Sequence, residues 1–488
     1  MQKSVSSVKG VVSVLHTSPF TLHTAASPCV MCAGLLSCLV LLAGCKVGPS
    51  FKPPETPVPN TWVGPLPPPT SAEQDLAHWW TEFNDSTLTS LVQRAVESNL
   101  DLKLAEARVR QTRAARGVAI AGLGPTFDAL GSYRRTGTAA GAAGLYQAGF
   151  DAAWELDIFG GVRRGVEAAT ANLEASIDAR LNVLVTLTAE VAVNYIDVRS
   201  FQEQIAIAQR NLKAQQHSAD LTRQRFQAGL VSGLDVANAE AQVAGTAAQI
   251  PVVEQSTQQA IYSLSLLLGR EPGALRAELA SPAAVPAGPP AVPVGVPSEL
   301  LRRRPDILQA EAQIHAATAG IGVATADLFP RFSITGDLGT QGSKPSALGN
   351  WSNRLWSIFP SASWPLFTTG RTLSNIEVQR ALEEQSLITY RQTILTALQD
   401  VENALIASAK EQEHYKLLTD AVTANRRAVD LATKLYTQGQ TDFLNVLQAQ
   451  GALYASENAL ALSTRTVSTN LVALYKALGG GWTGPQSQ

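Results

Sequence analysis

Residues 148–157 read AGFDAAWELD, and their alternation decides the fold. Ala148, Phe150, Ala152, Trp154 and Leu156 alternate with Gly149, Asp151, Ala153, Glu155 and Asp157. A period of two belongs to a strand with one apolar and one polar face. A second such segment, LWSIFPSASWPL at 355–366, sets Trp356, Ile358, Ala362, Trp364 and Leu366 against Ser357, Ser361 and Ser363. Each has a partner upstream: Phe127, Ala129, Gly131 and Tyr133 alternate before the first, and Phe332, Ile334, Gly336 and Leu338 before the second. Strands of about ten residues with an apolar face and aromatic ends suit the wall of an outer-membrane barrel. The blander alternative is a soluble antiparallel sheet packed on helices. Four strands cannot close a membrane barrel, and an open edge in lipid leaves backbone groups unsatisfied, so several chains must share one barrel. Two chains would give eight strands, too narrow for an aqueous channel; three would give twelve and leave a lumen.

The segments occupy matching places in an internal duplication. DLKLAEARVRQTRAARGVAIAGLGPTF, from Asp101, aligns with DILQAEAQIHAATAGIGVATADLFPRF, from Asp306, at an offset of 205 that pairs Glu106 with Glu311, Pro125 with Pro330 and Phe127 with Phe332. Further on the offset is 210, pairing Trp154 with Trp364, Leu156 with Leu366, Gly160 with Gly370, Gly229 with Gly439, Leu234 with Leu444, Val236 with Val446 and Gly269 with Gly479. The first repeat therefore spans 86–279 and the second 298–480. Between them, 280–297 (ASPAAVPAGPPAVPVGVP) carries six prolines and reads as an extended linker. Residues 45–85, also proline-rich in their first part, are expected as an extended tether, and 481–488 as a short tail.

Each copy opens with a helix of about 25 residues (98–122 and 305–328), then paired strands, a very long helix, a glycine-marked turn and a return helix. Residues 166–228 and 371–438 contain neither glycine nor proline, which allows helices of roughly 95 to 100 Å. In the first, Leu173, Ile177, Leu181, Leu184, Leu187, Val191, Tyr195, Val198, Phe201 and Ile205 form one stripe, expected to be buried against neighbouring helices. Gly245, Pro251 and Gly451 mark expected kinks in the return helices. The fold class is mainly α with a membrane β-barrel: a long periplasmic helical barrel plus four transmembrane strands per chain, completed as a 12-stranded barrel in a trimer.

Residues 1–44 carry Lys3 and Lys9, no acid, and the apolar run VMCAGLLSCLVLLAG, the layout of a secretory signal peptide. The run ends in Leu42-Ala43-Gly44-Cys45, which resembles the lipobox of bacterial lipoproteins, where cleavage leaves an acylated cysteine as the new N-terminus. Lys46 follows, where an aspartate would argue for retention at the inner membrane.

The whole constellation resembles the outer-membrane efflux proteins of the TolC and OprM type, in particular the lipoprotein branch called the NodT family. The resemblance covers about residues 45–480, and its most specific parts are AAWELDIFGGVRRGVEAA at 152–169, RFQAGLVSGLDVANAEAQ at 225–242 and LYTQGQTDFLNVLQAQGA at 435–452. It implies a homotrimer set in outer-membrane lipid, collecting substrate from an inner-membrane pump of the RND type through a periplasmic adaptor. The resemblance also implies that the two helical-hairpin turns form the closed periplasmic tip. It places Gly229, Leu234, Asp235 and Gly439 in turns that meet the adaptor, and Asp442, Leu444, Asn445 and Gln448 at the gate; the plainer expectation for the same residues is that the glycines permit the reversal and the leucines fill the hairpin core. Family members often carry carboxylates at the positions of Asn445 and Gln448; both are neutral here, with Asp442 as the candidate replacement.

Composition excludes other classes. With 45% hydrophobic and 16% charged residues and a net charge of −2, the chain is neither disordered nor a nucleic-acid binder. Cys29, Cys32, Cys38 and Cys45 all lie at the N-terminus, and the six histidines form no close pair, so no metal or other cofactor is expected. Walker, GxGxxG and GxSxG patterns are absent, and no enzyme is read here. The rival reading is a trimeric coiled-coil structural or adhesive surface lipoprotein without a lumen. Helices that return as hairpins argue against it, since a stalk runs in one direction.

Overall fold

The computed structural model describes residues 46–66, 76–139, 141–289, 292 and 294–483. The expected signal peptide 1–44, Cys45, part of the tether (67–75) and the tail from residue 484 lie outside the described residues. In chain order the principal elements are α1 (Ser86–Ser98), α2 (Leu100–Ala121), β1 (Thr126–Thr138), β2 (Gly141–Leu156), α3 (Gly161–Gln227), α4 (Gly233–Leu267), α5 (Pro305–Ala326), β3 (Arg331–Gly342), β4 (Arg354–Ser363), α6 (Arg371–Thr437) and α7 (Phe443–Ala477). Both α3 and α6 are 67 residues long, roughly 100 Å. Gly245, Pro251 and Gly451 lie inside α4 and α7, which run through them as single helices.

The strands form one antiparallel sheet in the order β1-β2-β3-β4. Its registers repeat with the sequence: Phe127 faces Ala152 in the first hairpin, and their counterparts Phe332 and Ala362 face each other in the second. The central pair, β2 with β3, joins the two repeats and runs from Tyr146 opposite Gly342 to Leu156 opposite Phe332. At its middle Gly149 faces Gly339, and a Cβ on either would lie 2.6 Å from a carbonyl oxygen of the other strand, so only glycine permits this approach. Phe127, Phe150, Leu338 and Trp356 share one exposed apolar face, continuous across the four strands. On the other face, Asp128 stands opposite Asp151, Asp151 opposite Asp337 and Asp337 opposite Ser357.

The strand expected over 355–366 stops at Ser363. Pro365 cannot donate to the ladder, and the Trp364 indole instead donates to the Leu328 carbonyl at 3.0 Å. Trp154 does the same in the first repeat, donating to Leu123 at 3.0 Å. The two equivalent indoles staple each sheet hairpin to the end of the short helix before it. The reversal expected over TGTAAGAAGLYQ is also tighter than its sequence implied: pairing continues to Thr138 opposite Gly141.

The short helices and strands are arranged alike. Around the upper body α2 packs on α3, α3 on α5 and α5 on α6; lower down α4 packs on α3 and α7 on both α3 and α6. The expected stripe on α3 is buried only at Leu187, Val191, Tyr195 and Val198; Leu173, Leu181, Leu184, Phe201 and Ile205 are half-buried and Ile177 is exposed. The extended tether expected over 45–85 fails at Leu76–Phe83, a 3-10 turn whose Trp79, Trp80 and Phe83 are buried. Trp79 stacks on Tyr475 of α7 at 5.2 Å, and burying three large aromatics outweighs the solvation that favours an extended chain. Asp85 then caps α1, accepting from Leu88 N at 2.9 Å and from the Tyr195 hydroxyl at 2.8 Å. The proline-rich linker is extended but tied down: Arg199 donates to Ser281 O, Ser468 to Pro286 O and Trp62 to Gly295 O.

Candidate functional site

Two helical-hairpin tips and the strap after Cys45 carry the residues singled out by sequence. In both tips the helix ends on a glycine with positive φ, +73° at Gly229 and +70° at Gly439, a conformation that lets the chain reverse without a Cβ clash. The restarts differ. Ser232 caps α4 in a reciprocal box, its hydroxyl accepting from Asp235 N at 3.3 Å while the Asp235 carboxylate accepts from Ser232 N at 3.0 Å. Asp235 is thereby committed to its own turn. In the second tip the counterparts are Asp442 and Asn445: Asp442 occupies the cap position without a side-chain bond, and the Asn445 amide donates to Thr441 Oγ1 at 2.7 Å.

Leu234 and Leu444 were each expected in the hairpin core, and the structure exposes them by 69% and 52%. The core between the tips is instead Tyr436, Phe443, Val446, Ala219 and Ala239. Asp442, Leu444, Asn445 and Gln448 are all exposed on one tip, Leu234 and Gly229 on the other. The tips are latched by a residue that sequence reasoning missed. Arg225 donates to the Tyr436 carbonyl at 2.5 Å, closing the end of α6, and lies 4.5 Å over the Tyr436 ring. Thr222 meets the Tyr436 hydroxyl at 3.2 Å, and Gln450 donates to Ser218 at 2.8 Å below it. The available signal was a break in the repeat: position 435, the counterpart of Arg225, is leucine.

Cys45 itself lies outside the described residues, but the strap beginning at Lys46 is docked. Val47 N donates to Phe159 O at 3.2 Å. The guanidinium of Arg164, 1% exposed, donates to Val47 O at 3.0 Å, Gly48 O at 3.2 Å and Glu167 at 3.0 Å. Glu167 also accepts from Lys46 and meets His315 at 3.2 Å. Burial pushes the Glu167 carboxyl up, but Lys46, Arg164 and His315 together hold it below the usual carboxylate range. Phe51 stacks on His315 at 4.5 Å and closes a cavity of about 320 Å³ lined also by Glu174, Asp178 and Glu311. Burial, with Glu174 and Glu311 adding to it, pushes Asp178 up to about 6. The strap continues downward to Val63 and Gly64, whose amides both donate to the Glu402 carboxylate at 2.8 Å. Among the described residues no group of histidines, cysteines and acids has metal-binding geometry.

Two repeats, each pairing a sheet hairpin with a very long helical hairpin, coincide with a known sequence pattern. The family model for outer membrane efflux proteins matches residues 91–270 and 296–480. The chain belongs to that family. This efflux protein is 30% identical over 459 residues to Nodulation protein T of Rhizobium leguminosarum bv. trifolii, covering 91% of this chain and 96% of that one. It is 29% identical over 460 residues to the probable outer membrane lipoprotein SilC of Salmonella typhimurium, covering 92% and 98%. The solved structure of the outer-membrane channel OprN superposes with a TM-score of 0.85 at 36% identity, covering 90% of this chain and all of that one. The family and the fold are those of channel proteins.

Proposed function

We propose that the protein is a trimeric outer-membrane channel lipoprotein that passively conducts substrates delivered by an inner-membrane pump and a periplasmic adaptor. The observation that carries this is the open four-stranded sheet, aromatic on one face and polar on the other, joined to helices of 67 residues that return as hairpins. An open sheet in lipid must pair its edges, and three copies close twelve strands around water. The chain does no chemistry in this reading; it supplies a conduit. Repeats 86–279 and 298–480 are then equivalent staves of the tunnel, joined by the linker 280–297.

In the same reading Leu444, Asn445 and Gln448 line the closed tip with Asp442 beside them. Gly229, Leu234, Asp235 and Gly439 shape the turns offered to the adaptor. The exposure of Leu234 and Leu444 supports both roles, since apolar side chains left outside a hairpin core favour contact with other chains. Cys45 is the acylated N-terminus, supported by LAGC and by the likeness to SilC. Native mass spectrometry in detergent, combined with single-channel recording in planar bilayers, tests the assignment. Three copies and discrete conductance steps are expected; a stable trimer that never conducts would favour the stalk reading instead.

A further inference from the structure

The apolar face of the sheet is charged at one end only. Along all four strands, the alternation that begins at Phe127, Phe150, Leu338 and Trp356 meets just two charged side chains among the described residues, Arg135 on β1 and Arg354 on β4. Both are exposed, and both lie at the end of the sheet away from the helices. The duplication ties them together. Arg135 stands opposite Gly144, and the counterparts of that pair, Thr340 and Arg354, also stand opposite each other. Each hairpin therefore carries one arginine at the same cross-strand position, on its first strand in one repeat and on its second in the other. Aromatic rings mark this level. A Cβ on Gly144 would lie 3.2 Å from the Tyr133 ring, which pairs with Tyr146 at 4.5 Å, and the Arg354 guanidinium lies 5.5 Å from the Trp351 ring. The opposite rim holds the neutral indoles of Trp154 and Trp364, each already donating to a carbonyl. From Trp154 back to Gly144 the strand rises roughly 34 Å, or about 24 Å of height at a tilt of about 45°, close to the apolar band of about 25 Å that such barrels present to lipid. The arginines thus stand where that band ends. Around them the charge has one sign: residues 129–150 and 338–363 hold Arg134, Arg135, Lys344 and Arg354 and no acid, in a chain whose net charge is −2.

We infer that this rim binds the phosphate groups of the glycolipid in the outer leaflet, through Arg135 and Arg354. The inference rests on the outer-membrane trimer proposed above and names its lipid partner. With the long helices on the periplasmic side, the strand ends away from them lie in the outer leaflet, whose lipid carries phosphates at the boundary between acyl chains and sugars. A guanidinium offers a planar fork to two phosphate oxygens, and such charge-assisted contacts are stronger than neutral ones. At the edge of an apolar face the arginine stems lie along acyl chains while their heads reach the headgroups. Arg135 has no partner among the described residues, and Arg354 donates only to the Trp351 carbonyl, at 3.3 Å, which leaves most of its fork open. Phospholipid in the inner leaflet meets the uncharged indole rim instead. Without a nearby carboxylate to repel them, phosphates find at the outer rim a surface of complementary charge.

Native mass spectrometry of the full-length protein in detergent counts bound lipid, with a chelator present so that no divalent cation bridges phosphates. Added diphosphorylated lipid A should be retained, and Arg135→Gln/Arg354→Gln should retain it about tenfold less. Arg134→Gln makes the same charge change one residue away on the polar face and should retain lipid A as the parent does. Lipid A stripped of its phosphates should bind parent and double variant equally weakly. A melting temperature matching the parent's shows that the double variant is folded, and Arg135→Lys/Arg354→Lys, which keeps the charge without the fork, should recover part of the retention. Undiminished lipid A binding in the double glutamine variant, or an equal loss in Arg134→Gln, overturns the inference. So does a loss of phosphatidylglycerol as large as that of lipid A, which would leave only a general attraction for anions. The same spectra keep the two readings apart: a single-chain mass removes the trimer, whereas a trimer that holds no lipid A removes only this site.

Discussion

Asp151→Asn tests whether the polar face of the sheet lines water. Asp151 has Asp128 opposite on one side and Asp337 on the other, and like charges so placed repel. Neighbouring strands run about 4.8 Å apart, which gives about 0.9 kcal/mol per pair of carboxylates in water. Two neighbours make about 1.7 kcal/mol, and a Debye length of about 8 Å at physiological salt reduces this to roughly 1 kcal/mol. Ser357, whose hydroxyl donates to Asp337, takes up part of the load at the end of the row. The variant should therefore be more stable than the parent at about 0.05 M salt and lose that advantage near 1 M, where the Debye length is about 3 Å. It should also weaken the preference for cations over anions, because the closed barrel would carry three oblique rows of three such carboxylates around its lumen. Thermal melts at the two salt concentrations and the reversal potential across a potassium chloride gradient measure both effects. A variant less stable at low salt, or an unchanged reversal potential, would refute the reasoning.

Three further outcomes are expected. Gln448→Asp should strengthen block of the conductance by multivalent cations added from the periplasmic side, since a carboxylate ring holds them more tightly than amides; strong block of the unmodified channel, removed by Asp442→Asn, would move the constriction to residue 442. Arg164→Met leaves Glu167 with less compensation and frees two strap carbonyls, a loss of about 3 kcal/mol for a broken buried pair; amide exchange over residues 46–51 should accelerate, and unchanged protection would show that the strap is held otherwise. Asp178 has its carboxyl raised to about 6 in the fold, so its contribution to stability is fully present below its unfolded value near 4 and is lost as pH rises through about 6. Melting temperature should accordingly be higher at pH 5 than at pH 7.5, and Asp178→Asn should flatten that difference; Glu167, lowered in the fold, acts only below this window.

Much of the architecture was legible because its signals are long or repeated. Alternation at 148–157, the absence of glycine and proline from 166–228, and the glycines at 229 and 439 each dictate backbone geometry locally. The errors fall where a distant part of the chain decides. Whether Ile177 is covered depends on what packs beside α3, which no periodicity in α3 can report. Leu234 and Leu444 sit at helical positions that suit a core, yet Tyr436 and Phe443, larger and with their rings in tilted contact at 5.4 Å, occupy the space between the tips. Trp79, Trp80 and Phe83 were hidden in a stretch judged by its prolines rather than its aromatics. Arg225 was missed because an arginine near a helix end reads as solvated until the carbonyl it closes is known.

The two indole staples, Trp154 to Leu123 and Trp364 to Leu328, have a mechanical meaning. They pin the ends of the short helices α2 and α5 to the sheet, and these pack on the long helices α3 and α6, so the sheet cannot swivel independently of the helices. With that end clamped, α3 and α6 act as levers of roughly 100 Å. A lever of that length moves its free end by about 5 Å for only some 3° of tilt. Widening at the tips then requires almost no rearrangement at the barrel, and the strand pairing that seals the wall against lipid stays undisturbed while the far end swings.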